Sequence, residues 1–218
     1  MARNKNPEIT INRILDAAMY LFLEKGYDNT TIQDIVDALG NLSKGAIYHH
    51  FKSKEDIIEA VIPRLYESSD NQLLEIKESS SYTGLEKLKK VMIMSLTNSG
   101  PKKLAQAAPN LMKNPRFLTQ QLYNTIESIV PQLVEPLIRE GIEDGSIVTE
   151  NPKEVAETFM ILVNIWLNPA VFYVKKEEFK NKFTFLQKLL TDLGVPVLDD
   201  EILEVLERYR SIIESHNK

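Results

Sequence analysis

The residues of this sequence best suited to chemistry lie together in the run Ser43-Lys44-Gly45-Ala46-Ile47-Tyr48-His49-His50-Phe51-Lys52-Ser53-Lys54. The chemistry they suit is recognition rather than bond making. Ser43 is a natural N-cap for a short helix, and the free backbone N–H groups behind it, at the positive end of the helix dipole, suit a phosphate. Lys44 is placed to donate to guanine O6 and N7 or to a phosphate. Gly45 and Ala46 are small enough for the backbone to approach base edges, with the Ala46 methyl available to a thymine methyl. Tyr48, His49, Lys52 and Lys54 reach toward the flanking sugar-phosphate backbone, and Thr31, at the start of the preceding helix, joins the set. Ile47 and Phe51 face inward.

Other chemistries find less support. The chain has no cysteine, which excludes disulfides, thiolate metal sites and a cysteine nucleophile. His49 and His50 point about 100° apart on a helix, and the third histidine, His216, is far along the chain, so no metal site is expected. The carboxylates are scattered, and the eight glycines form neither a nucleophile elbow nor a phosphate-cradling loop. The expectation is a non-enzyme without a cofactor.

The elements that must position the run can be read from periodicity and punctuation. A first helix from about Thr10 to Lys25 carries an apolar stripe of Ile11, Ile14, Leu15, Ala18, Leu21 and Phe22. Gly26 stops it, with Tyr27 placed to pack on Phe22. A second helix begins at Thr30-Thr31, where Gln33 or Asp34 can complete a capping box, and it buries Ile32, Ile35, Val36 and Leu39. Gly40-Asn41 breaks that helix, Ser43 caps a third ending near His50, and Ser53 caps the next, with Asp56 three residues on. Two short helices around a glycine turn have the dimensions of a helix-turn-helix whose second helix enters the DNA major groove.

The order Leu21-Phe22, Gly26-Tyr27, Thr30-Thr31, Asp34-Ile35 and then Ser43 through Lys54 closely resembles the tetracycline-repressor (TetR) family. The resemblance covers about a quarter of the chain. It implies a homodimer that represses transcription and releases its double-stranded DNA operator when a small molecule, unidentified from sequence, binds the second domain. One departure stands out. The family usually places one residue between the turn glycine and the serine of the recognition helix, whereas here Gly40 is followed by both Asn41 and Leu42. Leu42 is expected to take the buried turn position and Asn41 to form a polar bulge.

The rest of the chain agrees with an all-α fold. Its 218 residues are 43% hydrophobic and 26% charged, as in globular proteins. The net charge of −5 argues against a generally basic nucleic-acid binder. What matters is local concentration, since Asn41 to Lys54 holds Lys44, Lys52 and Lys54 and no acid. The start is polar and does not read as a secretory signal, so a cytoplasmic address is expected. The most apolar stretch, Phe159 to Val174, is shorter than the roughly 20 residues that span a bilayer and reads as a buried helix, with no membrane as a partner.

Further helices are expected at about 54–79 with Pro63 inside, 84–98, 101–113, 116–143 with Pro131 and Pro136 inside, 152–174, 176–193 and 199–215. Pro63 is expected to loosen its helix and let the two ends move separately. The domains are expected at 1–53, a three-helix DNA-binding head, and 54–218, a larger helical ligand-binding and dimerisation region. Leu65, Tyr66, Met92, Tyr123, Phe159, Asn164 and Trp166 are candidate pocket residues, with Met94, Phe172 and Tyr173 as further apolar candidates. A dimer seam is expected on the helix at 152–174 with one or both of its successors, from Phe159, Leu162, Val163, Leu189, Leu190, Leu203 and Leu206. Two rivals differ in class: a helix-turn-helix protein controlled by a protein partner, which a cavity-free second domain would favour, and a helical enzyme, which would need perturbed titratable groups clustered in a cleft.

Overall fold

The computed structural model describes residues 7–66, 70–98, 100, 103–104, 108 and 110–216. In chain order it contains α1 (Pro7–Lys25), α2 (Ile32–Leu39), α3 (Lys44–His50), α4 (Lys54–Tyr66), α5 (Asp70–Glu78), α6 (Gly84–Thr97) and a 3₁₀ turn at Leu111–Lys113. Then follow α7 (Pro115–Asn124), a π-helical stretch (Thr125–Val134), α8 (Glu135–Asp144), α9 (Pro152–Ile161), a π turn (Leu162–Trp166), α10 (Lys176–Asp192) and α11 (Asp200–His216). No strand occurs among the described residues, so the fold is all-α.

The helices pack around two main cores. The first, in the head, gathers Ile14, Leu15, Ala18 and Phe22 of α1, Ile35 of α2, Ile47 of α3, Phe51 and the Ile57, Ile58 and Val61 stripe of α4. Ala108, Leu111 and Phe117 belong to the same core, although they lie fifty or more residues further along the chain. A boundary at residue 53 therefore falls inside this core. The reason is that α4 presents its apolar face to α1 before leaving the head, with Ile57, Ile58 and Val61 all at or below 2% exposure.

The second core is built from α6 to α11 and includes Leu88, Ile138, Phe159, Phe179, Phe183, Leu186 and Leu190. Here α6 crosses α8 at almost no distance: a Cβ on Gly84 would stand 2.1 Å from the Gly141 backbone N. The entry to α6 is fixed by a capping box between Thr83 and Glu86 and by the Gly84 N–H, which donates to Asp144 Oδ2 at 2.7 Å. The buried Lys87 ammonium ties three elements together, donating to Lys77 O at 2.9 Å and pairing with Glu140.

The helix boundaries differ from the sequence reading in informative places. α4 passes through Pro63 as far as Tyr66 and α5 begins at Asp70, so a single helix over 54–79 is not observed, residues 67–69 lying outside those described. Of the helix expected at 101–113, the described part comprises helical residues 103–104 and the 3₁₀ turn. The segment from Pro115 to Asp144 does run on helically, because the chain widens to π geometry around Pro131 and the Glu135 N–H reaches Val130 O, five residues back. Such widening accommodates a ring that would clash with a carbonyl four residues earlier. The helix expected at 152–174 stops at Trp166. Leu167 N–H closes the last wide turn on Leu162 O at 2.8 Å, and Asn168 Oδ1 then accepts from Ala170 N–H at 2.9 Å. Pro169 disfavours helical backbone at the residue before it.

Candidate DNA-binding interface

Every turn of the head is held by a specific contact. Gly26, at φ 85, donates its N–H to Phe22 O at 3.1 Å, and the Tyr27 ring meets Phe22 edge-on at 5.3 Å. The buried Thr30 hydroxyl donates to Gly26 O at 2.8 Å, which leaves Thr31 as the N-cap of α2. Thr31 Oγ1 accepts from Asp34 N–H, and the Asp34 carboxylate accepts from Thr31 N–H at 2.7 Å. Lys25 closes the corner at 2.7 Å from Asp34, and its ammonium, with the Thr31 donors, holds the Asp34 carboxyl well below the usual carboxylate range.

The longer turn before α3 has its own fastening. Gly40 adopts φ 68, Asn41 Oδ1 accepts from Arg13 Nη2 at 2.7 Å, and Leu42 packs against the head core. The added residue is thus an outward loop pinned to α1, with Leu42 as its apolar anchor. Ser43 Oγ accepts from Ala46 N–H at 3.2 Å and caps α3.

α3 is anchored by Ile47, at 0% exposure, and by Phe51 at its C-cap. That orientation turns Lys44, Gly45, Tyr48 and His49 outward together, with Ala46 half-buried at their edge. Four outward residues at i, i+1, i+4 and i+5 make one helical face, the one a major groove would meet. Lys52 is exposed just beyond, and its N–H donates to Asp56 Oδ2 at 2.9 Å while Asp56 N–H is capped by Ser53 Oγ.

Lys54 is placed differently from the other basic candidates. Its ammonium donates to Tyr27 O at 2.8 Å and sits 4.2 Å from the centre of the Tyr27 ring. The Tyr27 hydroxyl in turn donates to Glu55 Oε1, and burial, followed by the Glu55 charge, pushes that phenol up from its ordinary pKa. Lys54 therefore fastens α4 to the turn between α1 and α2. Lys44 and Lys52 form no ion pair among the described residues, whereas Asp16, Asp34, Asp56 and Glu59 are paired with Arg64, Lys25 and Arg116. Four acids of the head are thus paired with cations other than Lys44 and Lys52, and the exposed face of α3 carries no acid.

Two residues that matter to this head escaped the sequence reading. Arg116, at the start of α7, pairs with Asp56 at 2.6 Å and with Glu59 at 3.3 Å, and it holds the Asp56 carboxyl below the usual carboxylate range. Phe117, its neighbour, is buried in the head core. The only local signal was the Asn114-Pro115 helix start, whose Asn114 Oδ1 accepts from Arg116 N–H at 3.0 Å. Nothing in sequence says that this helix start docks on the head.

Comparison with known proteins bears on the same segment. The pattern of the "Bacterial regulatory proteins, tetR family" matches residues 14–61, from the middle of α1 to the last buried turn of α4. Residues 14–61 thus form a DNA-binding segment of TetR-family type. The chain is 24% identical, over 175 residues covering 79% of its length and 91% of the relative, to the "Biofilm operon icaADBC HTH-type negative transcriptional regulator IcaR" of Staphylococcus aureus. It is 28% identical to the HTH-type transcriptional regulator YvkB of Bacillus subtilis over 71% of this chain and 79% of that one. Its fold matches a transcriptional regulator from Cytophaga hutchinsonii at a TM-score of 0.57, with 19% identity over 95% of each chain.

In the larger C-terminal helical region the sequence-derived pocket candidates are spread between the core and the surface. Met92 and Phe159 are core residues, and Tyr123 is 63% exposed. Asn164 is half-buried, its amide 3.9 Å from Met160 Sδ. Trp166 meets Phe185 edge-on at 5.9 Å, while Lys182 lies over its ring and donates to Trp166 O. Leu65 and Tyr66 lie on α4, with side chains outside the described residues, and Phe172 and Tyr173 are exposed beyond Trp166. Of the expected seam residues, Phe159, Leu190 and Leu206 are consumed by the monomer core, whereas Leu162, Val163, Leu189 and Leu203 are half-buried on its surface. A hydrophobic helix residue is equally at home in a core, a seam or a pocket wall, and spacing does not separate them.

Proposed function

We propose that this chain is a ligand-responsive transcriptional repressor that binds an inverted-repeat operator as a homodimer and lets go when a small molecule occupies its regulatory half. The observation that carries the reading is the orientation of α3, in which the buried Ile47 and Phe51 turn Lys44, Gly45, Tyr48 and His49 outward on one face. One such helix covers too few base pairs to be selective, so two copies are needed, set about 34 Å apart in successive major grooves. In this reading Lys44 reads a base edge, Gly45 and Ala46 allow close approach, and Ser43, Tyr48, His49 and Lys52 hold the phosphates. The negative regulation named for IcaR supports repression.

The second copy is expected against α9 and α10. Ile161 and Phe185 are exposed there at 40% and 62%, beside the half-buried Leu162, Val163 and Leu189. Exposed apolar residues grouped on adjacent helices are the surface a self-complementary interface requires.

Communication runs through contacts shared by the two halves. α4 belongs to the head core, and Phe117 enters the same core from α7. Arg116 grips Asp56, which in turn holds the Lys52 N–H immediately after α3. A shift of α7 against α4 therefore changes the setting of the recognition helix. Sedimentation with and without operator DNA tests the assembly. The expected complex holds two chains per inverted repeat, and a stable one-chain complex would contradict the proposal.

A further inference from the structure

Helices α5 and α6 face each other across a seam that is not closed by apolar side chains. α5 contributes Gln72, Glu75, Ile76 and Ser79, and α6 contributes Lys90, Ile93, Met94 and Thr97, each set at i, i+3, i+4 and i+7. Tyr82, Asn98 and Glu201 complete a groove of about 640 Å³, within the range of small-molecule sites. Two packed helices ordinarily bury apolar stripes at these positions. Here three of the four α5-side residues and two of the four α6 residues are polar, and the space between them is left open.

The charges in the groove are specific. Glu75 and Glu201 form no ion pair among the described residues, while the groove's one cation, Lys90, stands 4.3 Å from the centre of the Tyr82 ring. The ring face thus already receives an ammonium group, supplied by the protein's own side chain. Ile76, Ile93 and Met94 offer an apolar floor beside it. An anion would meet two exposed carboxylates, and a neutral molecule could offer them a hydrogen bond but no counter-charge. A cation with an apolar body would satisfy the carboxylates, take the Tyr82 face from Lys90 and cover the floor.

We infer that this groove is the effector site and that its ligand is an amphipathic organic monocation, with Glu75 and Glu201 as counter-charges, Tyr82 as the ring beneath the cation and Lys90 as the group it displaces. This rests on the ligand-responsive reading above. A ligand wedged here presses on α5, whose chain partner upstream is α4, and on the C-terminal turn of α6, which leads toward the Ala108, Leu111 and Phe117 segment of the head core.

The test uses three probes with one tail, decyltrimethylammonium, decyl sulfate and decyl maltoside, titrated calorimetrically into the full chain below micelle formation. Operator affinity is measured in parallel. The ammonium is expected to bind at least tenfold more tightly than the other two. Glu75→Gln with Glu201→Gln should weaken it about tenfold or more, the equivalent of one lost charge contact, and Lys90→Met should tighten it. Tyr82→Leu, which keeps an apolar wall, should weaken it independently of the carboxylates. Equal binding of the sulfate, or an ammonium affinity unmoved by the substitutions, would overturn the site. Ammonium binding that follows the expected pattern with operator affinity unchanged would keep the cation site and overturn the ligand-responsive reading. Operator release by the ammonium that ignores all four substitutions would do the reverse.

Discussion

The head and the larger C-terminal region are both helical, yet they differ in helix length and in how tightly their seams close. In the head, α2 and α3 have eight and seven residues, well below the ~12–15 at which an isolated helix becomes even marginal. Each survives because a cap fixes its start and a fully buried isoleucine fixes its face. In the larger C-terminal region, α10 and α11 each run for 17 residues, with Asp199 Oδ1 accepting from Ile202 N–H at the start of α11. There, tight packing at the Gly84–Gly141 crossing coexists with the polar, open seam between α5 and α6. The contrast teaches where rigidity is placed: where geometry must be read by DNA, every turn is over-determined, and space is left where a ligand would enter.

The largest effect should come from removing the aromatic side chain that the later segment of the chain lends to the head core. Phe117→Ala deletes a ring at 4% exposure, and comparable core truncations cost ~3–5 kcal/mol. Denaturant unfolding followed by circular dichroism measures it. A loss under ~1 kcal/mol would mean that the head stands without this wedge, and the two regions would then be more separate than described.

Lys44→Ala comes next. It should leave stability unchanged and weaken operator binding by ~1–3 kcal/mol, with relaxed preference at one base position. A uniform loss across sequences would move Lys44 from base reading to phosphate holding.

Lys54→Ala sharpens the comparison from the other side. As a charged donor to the Tyr27 carbonyl in a half-buried setting, it should contribute ~1 kcal/mol to the head and lower Tm, with the salt dependence of DNA binding unchanged. A Lys54 that instead grips phosphate would flatten the log–log salt slope by ~0.9 on removal.

These differences also explain what the sequence disclosed. The head was legible because its signals are local: Gly26 after Phe22, the Thr31–Asp34 box, Gly40 at positive φ, Ser43 before a small-residue turn. Even the extra residue was readable, with Leu42 inward and Asn41 outward. Lys54 reads like Lys44 in the sequence, and only the fold brings it to Tyr27. Arg116 and Phe117 were invisible because their partners are some sixty residues away in sequence. The end of α9 was misplaced because a continuous apolar run from Phe159 to Val174 outweighed the Asn168-Pro169 break. The groove was missed because its residues are ordinary polar and apolar helix positions until two helices are set face to face.

The smallest effect concerns pH. Asp34 and Asp56 are both depressed in the fold, chiefly by hydrogen bonds from Lys25 and Arg116 respectively. A depressed carboxyl contributes stability that is complete above its unfolded pKa, ~3.9, and is lost as pH falls through the lower folded value. Head stability should therefore be flat through neutrality and decline only below about pH 4. Arg116→Ala should narrow the acid dependence by removing the Asp56 contribution. An acid profile identical in the variant would show that the Arg116 pair does not couple the halves.

The central claim is that α3, turned outward by Ile47 and Phe51, reads DNA in two copies. Selection of binding sites from random duplexes tests it most directly, run in parallel on the unaltered chain and Lys44→Ala. The account predicts an enriched inverted repeat with half-site centres about one helical turn, or a multiple of it, apart, and relaxed preference at one position of each half-site for the variant. Failure to enrich any sequence, or enrichment of an unrepeated half-site bound by a single chain, would contradict it.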